Sequence, residues 1–266
     1  MMRTLALSLA VAFLPMSVSA GDWSQFRGAD GQGHAAAVGL PVEWGPEKNV
    51  AWKIASPGEG WSSPGVHEGR IYLTAALQVD EASENRSLRL LCFSGESGET
   101  IWSREIFQQN GTTSPRIHSK NSHASPTPLI HDGHVYVHFG HQGTASVDLD
   151  GKVVWKGKPI DYRPVHGNGG SPVVFDDLLI FSTDGAREQK LNALNRHTGE
   201  LMWQTKRGIE RPKKFAFCTP LLIDVDGRPQ VVSPGAGMVV GYDPKTGDEF
   251  WRVEYDGYSV VPRPVY

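Results

Sequence analysis

Cysteine is scarce in this 266-residue chain: only Cys92 and Cys218 occur, 126 positions apart. Units that far apart would need an unusually close approach to be bridged, so two buried thiols are expected rather than a disulfide. No basic run exists and the formal net charge is -3, which excludes the electrostatic footprint of a nucleic-acid binder. Beyond residue 20 no stretch approaches the roughly 20 apolar residues that a membrane-spanning helix needs. A Gly-x-Ser-x-Gly elbow, a phosphate-cradling glycine loop and a His-Glu-x-x-His helix are all missing, and with them three familiar routes to catalysis.

What the chain does have begins with an export signal over residues 1–20. Arg3 precedes an apolar run from Leu5 to Val18, and Val18-Ser19-Ala20 is a small-residue cleavage pattern. The mature chain is expected to start at Gly21, with no cysteine there to carry a lipid, and to be periplasmic or secreted. Losing Arg3 moves the net charge to -4. Residues 21–48 form an amino-terminal extension, and 49–266 hold a repeat.

Trp52, Trp102, Trp155, Trp203 and Trp251 define the repeat, with gaps of 50, 53, 48 and 48 residues. A period near 50 filled with short β-type runs marks units that bury their faces only by stacking on neighbours. Four complete units open at Ser63-Pro64, Ser125-Pro126, Ser171-Pro172 and Thr219-Pro220. Proline has no amide hydrogen to give a sheet and suits the start of a strand. In the second unit the runs are Thr127 to Ile130, Val135 to Phe139, Ala145 to Leu149 and Val153 to Trp155, with Asp132-Gly133 and Asp150-Gly151 turns between them. Four antiparallel strands per unit follow. The third turn recurs as Ser97-Gly98-Glu99, Asp150-Gly151-Lys152, Thr198-Gly199-Glu200 and Thr246-Gly247-Asp248, and the tryptophan after it is expected to dock one unit on the next. His134 and His138 stand too far apart on one strand to share an ion, and Asp224 and Asp226 fit a hairpin turn.

Four-stranded sheets repeated radially make a β-propeller. Asn49 to Ile54 is expected as the outer strand of a closing blade, and Val260 to Tyr266 as the opening strand of a fifth unit. Four complete blades with one strand at each end do not close a ring, so a fragment of a larger, about eight-bladed ring is expected, with a ring completed by another chain as the alternative.

The stretches 191–203 and 240–251, each ending in Thr-Gly-(Glu/Asp)-x-x-Trp, resemble the pyrroloquinoline-quinone-like propeller repeat. That family includes quinoprotein alcohol dehydrogenases and the propeller lipoprotein of the outer-membrane β-barrel assembly machinery. Trp23-Ser24-Gln25-Phe26-Arg27-Gly28 is also similar to the opening of exported propellers of this class. The resemblance implies, for the enzymes, a quinone against an adjacent-cysteine disulfide, a tryptophan platform and a calcium held by carboxylate and amide oxygens. This chain has no adjacent cysteine pair, and no carboxylate can be matched to the metal pattern.

Chemistry is expected where the repeat breaks down, in loops converging on the channel mouth. These supply Arg116, His118, Asn121 and His123 from 107–124; His166 and Asn168 from the next connection; Lys213 from the one after; and His141, Asp184 and Arg187 from facing loops. Donors, acceptors and imidazoles in that number suit an anionic or hydroxyl-rich ligand. Polar loops satisfying their own backbone are the structural alternative. An ion shared by His118, His123, His141 and His166 is a further alternative, although the expectation is no metal. Two functions remain open: an exported non-catalytic scaffold binding an unidentified protein or a small polar ligand, with no cofactor; or a quinoprotein-like dehydrogenase whose quinone and calcium site is degenerate or lies outside this sequence.

Overall fold

The structure, a computed structural model, describes residues 21–266 apart from 159 and 209; the expected export segment lies outside the described residues. Among these, sixteen strands form four sheets of four, each a meander of consecutive antiparallel neighbours. The first sheet is β1 (Gly65–His67), β2 (Arg70–Gln78), β3 (Arg86–Ser94) and β4 (Thr100–Gln109). The second is β5 (Leu129–His131), β6 (His134–His138), β7 (Thr144–Asp148) and β8 (Val153–Gly157). The third is β9 (Val173–Phe175), β10 (Leu178–Asp184), β11 (Gln189–Asn195) and β12 (Leu201–Lys206), and the fourth β13 (Leu221–Val225), β14 (Arg228–Gly235), β15 (Met238–Tyr242) and β16 (Glu249–Glu254). Apolar residues are buried between blades: Leu90 and Tyr72 with Val135 and Val147, Tyr136 with Phe181 and Leu179, Leu191 and Ile180 with Val231 and Val240.

The tryptophan repeat is the joint between blades. Each indole donates Nε1–H to a carbonyl of the next blade: Trp52 to Gly95 (3.0 Å), Trp102 to Leu149 (3.1 Å), Trp155 to Arg196 (2.8 Å) and Trp203 to Pro244 (3.2 Å). Its face lies on the turn glycine of that blade. A Cβ added to Gly98, Gly151, Gly199 or Gly247 would fall 2.5–2.8 Å from the nearest indole atom. These glycines therefore answer two demands, a positive φ of 75–84° and clearance for a ring.

Each sheet also bulges beside its tryptophan. The outer strand gains one residue opposite the steps Cys92/Phe93, Ser146/Val147, Ala193/Leu194 and Gly241/Tyr242. The residues directly opposite the tryptophans are Cys92, Ser146, Ala193 and Gly241, all small. A bulge re-aims a side chain, and a small cross-strand neighbour lets the indole turn off its own sheet. Cys92 thus fills a position that needs a small residue. Both cysteines are buried free thiols, and burial pushes them up to about 11 for Cys92 and about 12 for Cys218.

Three expectations are corrected. The unit mark in the second blade is Thr127-Pro128, not Ser125-Pro126: β5 starts directly after Pro128, as β1, β9 and β13 start after Pro64, Pro172 and Pro220. The hydroxyl before the proline forms a staircase, Ser63 N–H to Thr127 Oγ1 (3.0 Å), Thr127 N–H to Ser171 Oγ (2.9 Å), and Ser171 N–H to Thr219 Oγ1 (3.0 Å). Residues 49–54 and 260–266 are not strands, because no described sheet edge runs beside them to supply a ladder. Trp52 nevertheless docks as the others do. The extension at 21–48 is partly tied down, with Trp23 bridging Val66, Ile130 N–H bonding Ser24 O, and Arg263 donating to Phe26 O.

Trp251 meets no further turn glycine among the described residues. Its indole bonds Gln230 of its own sheet (2.7 Å) and stays 37% exposed. Trp203→Ala is expected to destabilise the chain by about 3 kcal/mol, the low end for a truncated core aromatic because the ring is half-buried. Trp251→Ala should cost less than half as much. Denaturant unfolding of the two variants checks this, and equal losses would contradict the docking role.

Candidate functional site

The non-repeating loops gather on one face. The connection after β4 lies against that after β8: Asn121 Nδ2 donates to the carbonyls of His166 (3.0 Å) and Asn168 (3.1 Å), and its Oδ1 accepts from Ser125 Oγ and Ser122 N. Asn121 is therefore a pin between two connections, its amide spent on protein partners. His118 N–H bonds His166 O (3.2 Å), and the two imidazoles meet edge to face at 5.2 Å. His166, at a φ of 66°, continues edge to face onto Phe215 (5.3 Å), which meets Tyr258 (5.7 Å).

Beneath these loops is a cavity of about 510 Å³. Its wall is the hydroxyl staircase, Thr127, Ser171 and Thr219, with Ser125. Phe26, Trp61 and Phe217 add aromatic surface, and His118, Lys120, Asn121 and His166 form the rim. Each staircase hydroxyl accepts a backbone N–H from the preceding blade, and among the described residues none donates its own proton. Three O–H donors are thus left for a guest. Aromatic faces beside aligned hydroxyl donors suit a ring bearing oxygen acceptors. Of these residues, Phe26, Trp61, Phe217 and the staircase were not among the sequence candidates. The repeat marks on Ser171 and Thr219 are the signal that points to them, once the proline-preceding hydroxyl is understood as a channel-facing group.

A second cavity, of about 430 Å³, lies on the other side of the 110–123 connection. It holds Arg116, His118, Asn121 and His123, together with Glu59, Glu84, Arg86 and Gln109. A third, of about 740 Å³, shares Arg116 and Glu84 and adds Arg163 and His166. Arg116, His118, Asn121, His123 and His166 are thus brought together around connected hollows.

The remaining sequence candidates are elsewhere. Asn168 packs under Gly140 at the loop between β6 and β7, and His141 bonds Gln142 in that same loop (3.1 Å). Arg187 is exposed in the turn between β10 and β11. Lys213 donates to Tyr258 OH at 2.9 Å and sits 4.1 Å above its ring. Neither Arg187 nor Lys213 lines a cavity described above. Asp184 is a correction: it ends β10 and is fully buried, accepting from Arg207 Nη1 at 2.5 Å. Arg207 also donates to the carbonyls of Ser233 and Pro234 in the fourth blade. The pair clamps two blades together and cannot reach a ligand. No group of three or more His, Cys, Asp or Glu among the described residues is placed to hold a metal ion, so His118, His123, His141 and His166 do not form one site.

The family model described as "Outer membrane protein assembly factor BamB", of the PQQ-repeat type, matches residues 37–158 and 89–259. The chain belongs to this PQQ-like propeller family. It is similar to "Methanol dehydrogenase [cytochrome c] subunit 1" of Methylobacterium organophilum, 27% identical over 49% of this chain and 23% of that protein. It is also similar to "1-butanol dehydrogenase (quinone)" of Thauera butanivorans, 30% identical over 46% of this chain and 22% of that protein. The chain matches under a quarter of the length of these curated relatives. Among solved structures, the quinohemoprotein alcohol dehydrogenase of Comamonas testosteroni superposes with a TM-score of 0.62 at 14% identity, covering 89% of this chain and 41% of the other. A europium-containing methanol dehydrogenase gives 0.61 at 13% identity, covering 89% and 49%. At such identities the superpositions establish the propeller fold.

Burial sets two pH dependences of opposite sign. His138 is 3% exposed, bonded to Thr144 Oγ1 (2.9 Å) and packed 4.2 Å from Phe181, and burial pushes its imidazole down to about 3. Since an unfolded histidine titrates near 6.5, the unfolded chain binds the proton first, and stability falls as pH drops from about 6.5 towards 3. Asp184 has the opposite sign over a narrower window, because burial, partly offset by Arg207, raises it to about 6; its share of stability falls as pH rises from about 4 to 6. His138→Asn is therefore expected to flatten the acid-side decline in melting temperature. An unchanged slope would contradict the buried neutral imidazole.

Proposed function

We propose that the protein is an exported, non-catalytic propeller that binds a small hydroxyl- or carbonyl-bearing ligand in the cavity on its loop-bearing face. One observation carries this reading: three staircase hydroxyls from successive blades, each with an unspent O–H, line a single cavity with Trp61, Phe26 and Phe217. Export rests on the charged-then-apolar segment 1–20 and its small-residue cleavage pattern. No described helix is long and apolar enough to cross a membrane.

A second reading is favoured by the relatives, which are named as quinone and cytochrome-linked alcohol dehydrogenases. The residues of this cavity do not fit a calcium-bound quinone. Its lining contains no Asp or Glu, whereas a calcium ion takes six to eight oxygen ligands with carboxylates prominent among them.

Trp61 is 58% exposed at the cavity and provides the test. Titration with a panel of monosaccharides and polyols is expected to change its fluorescence saturably for at least one compound, with the signal lost in Trp61→Phe. Replacing Ser171 and Thr219 by alanine and valine should weaken that binding on the order of tenfold, the scale of one or two lost hydrogen bonds. Saturable quinone binding with calcium-dependent, dye-linked alcohol oxidation by this chain would instead establish the second reading.

A further inference from the structure

The hollow behind the 110–123 connection holds an arginine, Arg86, with no ion-pair partner among the described residues. Arg86 opens β3 opposite Gln109, the last residue of β4. Its guanidinium Nη1 is shielded from solvent and has no hydrogen-bond partner. Glu59 and Glu84 line the same hollow, but among the described residues neither comes within ion-pair distance of it, although Arg70, Arg89, Arg196, Arg207, Arg211 and Arg252 all find a carboxylate. Arg116 faces the same space from the loop, again with no partner among the described residues.

The neighbours are arranged as donors too. Gln109, 3% exposed, gives its Nε2–H to His123 Nδ1 at 2.8 Å. That leaves the imidazole proton on Nε2. Burial first, and then the positive charge of Arg86, hold His123 below the usual histidine range, with Glu59 and Glu84 acting in the opposite sense. A buried guanidinium atom with no acceptor is costly. Two guanidiniums and an imidazole N–H line one hollow of about 430 Å³, and these are the donor types with which proteins bind carboxylate or phosphate.

We propose that this side cavity is an anion subsite, in which Arg86 and Arg116 grip the carboxylate or phosphate of a small ligand and His123 donates to it. It lies across the 110–123 connection from the hydroxyl-lined cavity and does not depend on that cavity holding a ligand. Glu59 and Glu84 on its wall favour an anion whose other end carries a hydroxyl or ammonium donor.

Isothermal titration of the full chain at low ionic strength with inorganic phosphate, and separately with succinate, tests the assignment and tells the two anion chemistries apart. Saturable binding of at least one at a single site is expected, weakened roughly tenfold or more in Arg86→Gln and partly kept in Arg86→Lys. Arg116→Gln, in an exposed loop where folding is not at stake, should weaken it as well. Trp61→Phe should leave anion binding unchanged, and Arg86→Gln should leave the Trp61 fluorescence response unchanged, so that either cavity can fail alone. Absence of binding by the parent chain, or equal binding by the parent, Arg86→Gln and Arg116→Gln, would overturn the proposal.

Discussion

The contact on which this molecule depends is an indole laid across a glycine turn. A single four-stranded sheet has two faces to bury and too little of its own to cover them, so each blade is stable only through its neighbour. The indole supplies that connection twice over, through apolar area against the turn and through Nε1–H to a carbonyl that would otherwise look into the gap. The bulge and the small residue opposite, Cys92, Ser146 or Ala193, exist to turn the ring outward. Where no next turn is described, as at Trp251, the ring folds back and remains partly exposed.

Spacing set by these joints governs everything at the channel. Blades held at a constant offset bring each proline-preceding hydroxyl under the backbone N–H of the blade before it, giving three bonds of 2.9–3.0 Å. The same offset brings the connections after β4 and β8 close enough for Asn121 to pin them and for the hollows on either side to form. The Asp184–Arg207 clamp is a local reinforcement between the third and fourth blades, where burial makes an ion pair costly to break rather than a source of net stability.

Much of this was legible in the residues. Tryptophan, glycine and proline recur at a near-constant period because each answers a steric demand that every blade repeats, and the strands of the second blade lie within one or two residues of the apolar runs. The unit mark there is two residues from its expected place, because Ser125-Pro126-Thr127-Pro128 offers two equivalent pairs that only the start of β5 and the inter-blade bonds of Thr127 to Ser63 and Ser171 tell apart. Asp184 read as a loop residue because a carboxylate at a strand end gives no sign of a buried partner 23 positions later. Arg86 carries no signal in the sequence for the same reason: an arginine opening a strand is ordinary, and its isolation comes from the packing of a loop that has no repeat. Loop chemistry depends on contacts between blades, which periodicity does not encode.

Membership of the PQQ-like propeller family sets the scaffold. The claim beneath the whole account is that indole and glycine act as one joint, and a double-mutant cycle on Trp155 and Gly199 measures it. Trp155→Ala, Gly199→Ala and the double variant would be unfolded by denaturant. The account predicts that Gly199→Ala, whose Cβ would fall 2.5 Å from the Trp155 ring, costs at least about 1 kcal/mol more when the indole is present than when it is absent. Additive losses, with the glycine costing the same in both backgrounds, would show that only the turn conformation matters and would contradict the joint.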